Sequence, residues 1–325
     1  MGEFELIARF FTRPHGDTFV RRGIGDDCAI LAAGEFDLAV TTDLLVEGTH
    51  FFPSADPQAL GHKALAVNLS DLAAAGATPS CFFLALALPR ADEAWLAAFT
   101  SGLFALADEF GCVLAGGDTT RAAPVPGTDG PITICITALG QVPTGQALSR
   151  GAAQVGDDLW VSGELGGAAL ALAMRRGEVE LMSANGQSCA DRLDRPTPRV
   201  ALGQALRGAA HAAIDVSDGL LADLGHILQR SGVGATVHWD SVPRAATLAS
   251  QPEARQRACA LAGGDDYELL FTAPVAARAR VESAARGART QVARIGSVTT
   301  TRGLVVVDRG GERIDLQQHG FDHFA

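Results

Sequence analysis

Lysine is almost absent from this 325-residue chain, because Lys63 is the only lysine and every other basic side chain is arginine. Lys63 lies in Gly61-His62-Lys63-Ala64 and not in a Gly-Lys-Ser/Thr sequence. A P-loop needs its lysine in that sequence to reach the nucleotide phosphates. The sequence therefore excludes a P-loop nucleotide enzyme.

Long apolar runs and paired cysteines are also missing. The longest uninterrupted apolar segment, Cys81 to Leu88, is far shorter than the ~18 residues of a membrane span. The six cysteines form no C-x-x-C pair and show no zinc-finger spacing. We therefore expect a cytoplasmic protein with reduced thiols and no membrane segment. Carboxylates beside Cys28 should raise the pKa of its thiol and leave it inert.

Basic residues are fewer than acidic ones, 26 against 37, which gives a net charge of −11. An acidic chain has no general attraction for nucleic acid or anionic membranes, since both are polyanions. Any phosphorylated ligand must therefore be met by local cations. The 47% hydrophobic content is ample for a core, and at roughly 100 to 200 residues per domain the length favours two domains.

Strand-like and helix-like segments alternate along the chain and predict an α/β or α+β fold in two domains. The clearest helices are expected at Pro57 to Ala75 and Asp92 to Phe110, where apolar residues recur with helical spacing. Prolines and glycines between residues 143 and 156 predict the boundary, so that the domains span residues 1–145 and 146–325.

The second half contains two segments whose conformation is less obvious. The polar stretch from Met182 to Pro198 is predicted to be a long loop or lid. Further on, Ser217 or Asp218 is predicted to cap the helix that begins near Leu220, because serine and aspartate are favoured N-cap residues.

Aspartates recur beside glycines, where predicted strands end or helices begin. Asp43, Asp71 and Asp215 are embedded in strongly apolar segments, where an unpaired charge is costly. A single aspartate beside glycine is more often a turn residue or a cap, but one shared cation explains the whole set. Magnesium suits it, since this ion takes carboxylates together with substrate phosphates. His50 remains open between a base, a substrate contact and a partly buried imidazole.

Motifs for covalent catalysis are lacking. The sequence has no G-x-S-x-G, no H-E-x-x-H and no EF-hand loop. Phosphoryl transfer by positioning and metal electrostatics needs no such machinery. We therefore expect neither a nucleophile nor a general base among the site residues.

Seven motifs, in order along the chain, together resemble those of the thiamine-monophosphate kinase family. The resemblance runs from Glu3 to the last residue, and the family often has glutamate where this chain has Asp265. The motifs are Gly23 to Ala29, Thr41-Thr42-Asp43 with His50, Lys63 to Asp71, Gly116 to Thr120, Asp215 to Leu220, Gly263 to Leu269, and Gly320 to Phe324.

This resemblance implies the aminoimidazole-ribonucleotide-synthetase-like fold. An N-terminal α/β domain would pair with its twin in a homodimer, and ATP with several magnesium ions would lie between it and a C-terminal α/β domain. The implied reaction is ATP plus thiamine monophosphate giving ADP plus thiamine diphosphate, by direct in-line transfer.

Site residues follow from the same resemblance, position by position. Magnesium would be held by Asp27, Thr41, Thr42, Asp43, Asp71, Asp118, Asp215 and Asp218. ATP would contact Gly117, Asp118, Arg150 and Ser217, and thiamine phosphate would contact His50, Asp265 and Phe321.

Two alternatives remain at this stage. One is another enzyme of the same superfamily, such as a selenophosphate synthetase or aminoimidazole ribonucleotide synthetase. The former would want a reactive cysteine or selenocysteine near its N-terminus, and none precedes Cys28. The other is a non-catalytic nucleotide-binding or metal-binding subunit, which would have less reason to keep the complete aspartate set.

Overall fold

A computed structural model describes residues 2–11, 19–124, 130–181 and 183–314 of the chain. The helices are α1 (Glu3–Phe10), α2 (Pro57–Ala74), α3 (Glu93–Phe110), α4 (Gly167–Arg175), α5 (Ser183–Asp194), α6 (Val200–Leu206), α7 (Leu220–Ser231), α8 (Glu253–Arg257) and α9 (Arg278–Gly287). The strands are β1 (Val20–Arg22), β2 (Ala29–Ala33), β3 (Phe36–Val46), β4 (Thr78–Leu88), β5 (Val113–Arg121), β6 (Thr133–Pro143), β7 (Asp158–Ser162), β8 (Ala212–Asp215), β9 (Gly234–His238), β10 (Leu269–Ala273), β11 (Val292–Thr299) and β12 (Gly303–Val307). Helices and strands are interspersed along both halves of the chain, which confirms the predicted fold class.

The strands form two six-stranded mixed sheets. The first has the order β1-β2-β3-β6-β4-β5, and only its β4–β5 pair is parallel. The second has the order β12-β9-β11-β7-β10-β8, and only its β12–β9 pair is parallel. Each half of the chain therefore builds one sheet of its own.

Helix α2 is buried on nearly every side and joins the two halves. Leu65, Leu69 and Leu72 are fully buried and belong to a core that also contains Leu206 and Phe271 from the second half. A helix that is apolar all round is a core helix. Its polar residues Lys63, Asn68, Ser70 and Asp71 are therefore held at fixed positions between the halves.

The predicted start and end of α2 are confirmed in detail. Asp56 caps its first turn by accepting a hydrogen bond from the backbone N–H of Ala59 at 2.8 Å. After the last turn Gly76 adopts a left-handed φ of 70°, the conformation that commonly ends a helix.

The prediction of a loop at 182–198 was wrong over most of its length, because α5 occupies Ser183–Asp194. Cys189 and Leu193, four residues apart, are buried against the second core. Arg192 and Asp194 form ion pairs with Glu164 and Arg175 on neighbouring segments. Two buried residues make too narrow an apolar stripe to predict a helix in a polar sequence. The helix is stabilised by its packing against the second core and by these ion pairs.

Two local predictions about aspartates were also wrong. Asp43 and Asp118 lie inside β3 and β5 and not at strand ends. Neither Ser217 nor Asp218 caps α7, because its N-cap is Gly219, which has a φ of 115°. Instead, the backbone N–H groups of Ser217 and Asp218 donate hydrogen bonds to Asp223, a residue of α7 itself.

All six cysteines are free thiols, as predicted. Burial, followed by the charge of Asp71, raises the pKa of Cys28 well above its ordinary value. Among the described residues no helix combines the length and apolar character that crossing a membrane requires.

Candidate active site

Three carboxylates from the two halves of the chain meet at one place, which we call the acid cluster. Asp27 follows β1, Asp71 lies in α2 and Asp215 ends β8, and one oxygen of each lies within 4.8 Å of the others. The Ser70 hydroxyl donates a 2.6 Å hydrogen bond to Asp215 Oδ2 and so ties α2 to β8. The predicted convergence of carboxylates from both halves is therefore present in the fold.

Strand β3 presents two more polar residues to the acid cluster, because alternate side chains of a strand share a face. Thr41 is buried, and its hydroxyl donates a short hydrogen bond to Asp71 Oδ2. Asp43 Oδ2 is buried and has no hydrogen-bond partner among the described residues. An Asp43 oxygen that no described residue satisfies is therefore available to a ligand beside the acid cluster.

Burial and the repulsion of neighbouring charges disfavour ionisation of Asp43, Asp71 and Asp215. Burial raises the pKa of Asp43 to about 6, although a hydrogen bond with Asp71 opposes the shift. Burial and then the charge of Asp27 raise the pKa of Asp215 to about 8, against the effects of Ser70 and Arg150. Burial and then the charges of Asp43 and Asp215 raise the pKa of Asp71 well above its ordinary value. Full ionisation of the acid cluster therefore requires an added cation.

Arg150 is the cation that faces the acid cluster from the second half. Its Nε lies 3.0 Å from Asp27 Oδ2 and its terminal nitrogen lies 2.9 Å from Asp27 Oδ1. Asp26 holds the turn that carries Arg150, because it accepts hydrogen bonds from the Ser149 hydroxyl at 3.0 Å and from the Arg150 backbone N–H at 3.3 Å. Arg150, which was predicted to contact ATP, is thus paired with Asp27, which was predicted to bind magnesium.

Three other predicted residues lie apart from the acid cluster. Thr42 is exposed on the opposite face of β3, and its hydroxyl contacts that of Thr137 at 2.9 Å. Gly117 and Asp118 lie on exposed β5. Strands β6 and β4 lie between Asp43 on β3 and Gly117 on β5. Three inter-strand spacings therefore separate the two residues, which is about 14 Å. Glycine is required at 117, because a Cβ there would lie 1.8 Å from the carbonyl oxygen of Leu84.

The turn after β8 is built around an aspartate that was not predicted. Asp223 is buried, and its Oδ2 accepts hydrogen bonds from the backbone N–H groups of Ser217, Asp218 and Gly219 at 3.1, 3.2 and 3.1 Å. It fixes half-buried Ser217 and Asp218 just beyond Asp215. One signal was present in the sequence: Asp223 interrupts the apolar face formed by Leu220, Leu224 and Ile227.

The glycine-rich segment before β10 forms the other end of the site. Lys63 Nζ lies 3.0 Å from Asp265 Oδ1, and the Tyr267 hydroxyl donates a 3.1 Å hydrogen bond to the same oxygen. Burial and then the charges of Asp265, Asp43 and Asp215 raise the pKa of Tyr267 well above its ordinary value. The backbone N–H groups of Asp265 and Tyr267 donate hydrogen bonds to the carbonyls of Ser217 and Val216, which directly follow Asp215, so this segment lies beside the acid cluster.

The remaining predicted substrate residues are His50 and Phe321. His50 lies in the turn after β3, where its Nδ1 accepts a 3.0 Å hydrogen bond from the backbone N–H of Val46. That contact leaves Nε2 as the protonated nitrogen of the neutral ring. Phe321 lies outside the described residues.

Family models match both halves of the chain. The model of the AIR synthase related protein N-terminal domain matches residues 25–142. The model of the corresponding C-terminal domain matches residues 154–309. The two matches fall on the two sheets in turn.

Individual relatives match over the full length. A thiamine-monophosphate kinase of Salmonella typhimurium is 44% identical over 329 residues, which cover 100% of this chain and 98% of the relative. The crystal structure of a thiamine-monophosphate kinase from Stenotrophomonas maltophilia is 47% identical with a TM-score of 0.79, covering 92% of this chain and 93% of that one. A structure of AaThiL complexed with AMPPCP and TMP is 30% identical with a TM-score of 0.83, covering 99% of this chain and 97% of that one.

Proposed function

Since this chain belongs to the AIR synthase related family and, within it, to the thiamine-monophosphate kinases, we propose that it transfers the γ-phosphoryl group of ATP to thiamine monophosphate. The observation that carries the proposal is the acid cluster, in which Asp27, Asp71 and Asp215 from both halves bring carboxylate oxygens within 4.8 Å. A relative has been solved with AMPPCP and TMP, an ATP analogue and the expected acceptor. The products are ADP and thiamine diphosphate.

Magnesium fits the residues of the acid cluster. The donors are oxygens, as this ion prefers, and the buried oxygen of Asp43 lacks a partner among the described residues. When bound, magnesium would offset the charge of the carboxylates and of the approaching phosphates. The proposed ligands at the acid cluster are Asp27, Thr41, Asp43, Asp71, Asp215 and Asp218. The other two predicted ligands, Thr42 and Asp118, lie apart from it and would bind magnesium at the dimer interface proposed below.

The chain's own groups orient the two substrates. Arg150 would exchange its bidentate contact with Asp27 for the ATP phosphates, which arginine binds in the same forked geometry. Gly117, Asp118 and Ser217 would complete the ATP site. On the other side, His50, Asp265 and Phe321 would hold thiamine phosphate.

The transfer needs no residue that forms a covalent bond. An oxygen of the substrate monophosphate attacks the γ-phosphorus of ATP, and the bond from that phosphorus to the β,γ-bridging oxygen breaks, which releases ADP. A phosphate monoester has a second pKa of about 6, so its nucleophilic oxygen is already deprotonated near neutral pH. Neither a general base nor a phosphoenzyme is required.

We further propose a homodimer, in which a second copy covers one face of the first sheet. Leu44 and Phe83 share that face and are 51% and 42% exposed. Thr42 shares the face with them, and Asp118 lies beside Ala85 in register. A partner packed here would bring Thr42 and Asp118 into an enclosed site, which neither has in a single chain.

Two further parts of the proposal concern organisation. The domains would span residues 1–145 and 146–325, a division supported by the two sheets and by the two family-model matches. The location would be cytoplasmic, which agrees with six free thiols.

Release of ADP from ATP, measured with and without thiamine monophosphate, tests the function. We expect ADP only when the acceptor is present, with thiamine diphosphate formed in equal amount. A selenophosphate or aminoimidazole ribonucleotide synthetase would respond to its own acceptor instead, and a non-catalytic subunit would release no ADP. Labelled phosphate trapped on the protein from [γ-³²P]ATP would contradict direct transfer.

Light scattering tests the homodimer. Phe83→Glu places a charge on the proposed interface and should give a monomer, whereas Val275→Glu, at a residue that is 51% exposed in the second half, should leave the mass unchanged. A wild-type chain that elutes as a monomer at micromolar concentration would contradict the proposal.

A further inference from the structure

Lys63 is the one lysine of the chain, and the roles proposed above do not use it. The residue is 5% exposed, and burying a lysine is costly unless its charge is paired. Its partner, Asp265, belongs to the other half of the chain and has a side chain that is 32% exposed. We propose that Lys63 is a positioning residue, which holds the Asp265 carboxylate in the orientation that receives thiamine monophosphate.

The contacts of the carboxylate leave one of its sides for a ligand. Lys63 Nζ and the Tyr267 hydroxyl lie at 3.0 and 3.1 Å from Oδ1. Among the described residues both of these contacts fall on the same oxygen. Oδ2 can therefore face the substrate, whose thiazolium ring carries a positive charge.

The backbone around Asp265 explains why such a clamp is needed. Asp265 and Tyr267 have φ values of 66° and 50°, a left-handed conformation that residues other than glycine rarely adopt. Their backbone N–H groups donate hydrogen bonds to Ser217 and Val216 carbonyls, each at 2.8 Å. A conformation of this kind persists only when its surroundings enforce it, and the ion pair with Lys63 is one such restraint from the first half.

The position of Lys63 in α2 links the two ends of the site. Lys63 and Asp71 are eight residues apart in this helix, about 12 Å along its axis. Asp71 meets Asp215 in the acid cluster, while Lys63 meets Asp265. One rigid helix thus sets the distance between the proposed transfer centre and the proposed substrate contact.

A purely structural ion pair would give a different result from a positioning residue. If Lys63 only joined the two halves, its loss would weaken the binding of ATP and of thiamine monophosphate alike. If it positions Asp265, its loss should act on thiamine monophosphate alone. The inference rests on the proposed function, so the wild-type protein must first turn over thiamine monophosphate.

The test compares Lys63→Met, Lys63→Arg, Asp265→Asn and the double variant Lys63→Met/Asp265→Asn. For Lys63→Met we expect the KM for thiamine monophosphate to rise about ten-fold or more, while the Kd for AMPPCP, measured by calorimetry, stays within about two-fold. Lys63→Arg keeps the charge and should restore most of the loss. Arg175→Met, which removes the ion pair with Asp194 between α4 and α5, is the matched control.

The double variant separates positioning from misfolding, because it leaves no unpaired buried charge. It should resemble Asp265→Asn alone, since residues that act as a unit give non-additive effects. Additive losses in the double variant, an equal loss of AMPPCP binding in Lys63→Met, or an unchanged KM would each overturn the inference. A wild-type protein that does not phosphorylate thiamine monophosphate would instead overturn the proposed function.

Discussion

The two ends of the candidate site treat charge in opposite ways. At the acid cluster, Asp27, Asp71 and Asp215 lie together with Arg150 as the cation that contacts them, and the pKa values of Asp71 and Asp215 are raised. The carboxylate of Asp265, by contrast, is paired with Lys63 and accepts a hydrogen bond from the Tyr267 hydroxyl. The acid cluster is therefore suited to receive cations from outside, whereas the Asp265 carboxylate already has an ammonium group and a hydroxyl that fix its orientation.

The largest predicted effect is that of Asp71→Asn at the acid cluster. Turnover should fall by about a thousand-fold or more, because the charge of the transferred phosphoryl group loses its support. Stability without metal should be unchanged or higher, since one of several repelling carboxylates is removed. Initial rates of ADP release and thermal unfolding in EDTA measure the two quantities.

Asp194→Asn, at an exposed pair with Arg175, is the control for Asp71→Asn. Near-normal turnover would refute the role of Asp71 in transfer. A marked loss of metal-free stability in Asp71→Asn would show that the charge of Asp71 is already balanced within the chain. The acid cluster would then not differ from the surroundings of Asp265.

The second prediction concerns pH. The pKa values of about 6 for Asp43 and about 8 for Asp215 are raised from 3.8, so the folded chain keeps protons that the unfolded chain has released. Their contribution to stability is complete below about pH 4 and is lost as pH rises through about 6 and about 8, by at most about 1.4 kcal/mol per pH unit and group.

Thermal unfolding of the wild type and of Asp215→Asn between pH 5 and 8.5 checks this prediction. In EDTA the stability of the wild type relative to the variant should fall across that range, because only the wild type has to ionise Asp215. Saturating magnesium should remove the fall by holding the carboxylates ionised. If the stability of the wild type relative to Asp215→Asn rose with pH in EDTA, the prediction that the pKa of Asp215 is raised would be contradicted.

Sequence reasoning was most successful where a residue conflicts with its own surroundings. Asp71 and Asp215 stood out as charges in apolar segments, and they do meet. Helical spacing of apolar residues placed α2 within one residue of its observed end. Fold class and the convergence of carboxylates therefore followed from local chemistry.

Contacts between residues that are distant in sequence could not be predicted in this way. Nothing local indicates that Lys63 reaches Asp265, which is about 200 residues further along the chain. Helix α5 was missed for the same reason, because Cys189 and Leu193 reveal a buried face only once the second core is in place. These contacts join segments far apart in sequence, and one chain read alone carries no record of them.

Arg150→Met removes the cation that contacts Asp27. It should weaken the binding of ATP and strengthen the binding of magnesium. The KM for ATP should rise by roughly ten- to a hundred-fold, since a bidentate phosphate contact is lost. Magnesium binding without nucleotide should become several-fold tighter, because a competing cation leaves Asp27. Calorimetry with magnesium alone measures the second effect, and Arg150→Lys should be intermediate in both. Unchanged magnesium affinity would mean that Arg150 does not compete at the acid cluster.

Asp265→Glu is expected to have the smallest effect, because it keeps the carboxylate that pairs with Lys63. Turnover should stay within about five-fold, since the change lies at the end that sets geometry and not at the acid cluster. Stability should fall by about 0.5–1 kcal/mol, because glutamate accepts the φ of 66° less readily than aspartate. Steady-state kinetics and urea unfolding measure these quantities. A loss of turnover as large as that of Asp71→Asn would place Asp265 in the transfer step and remove the distinction between the two ends.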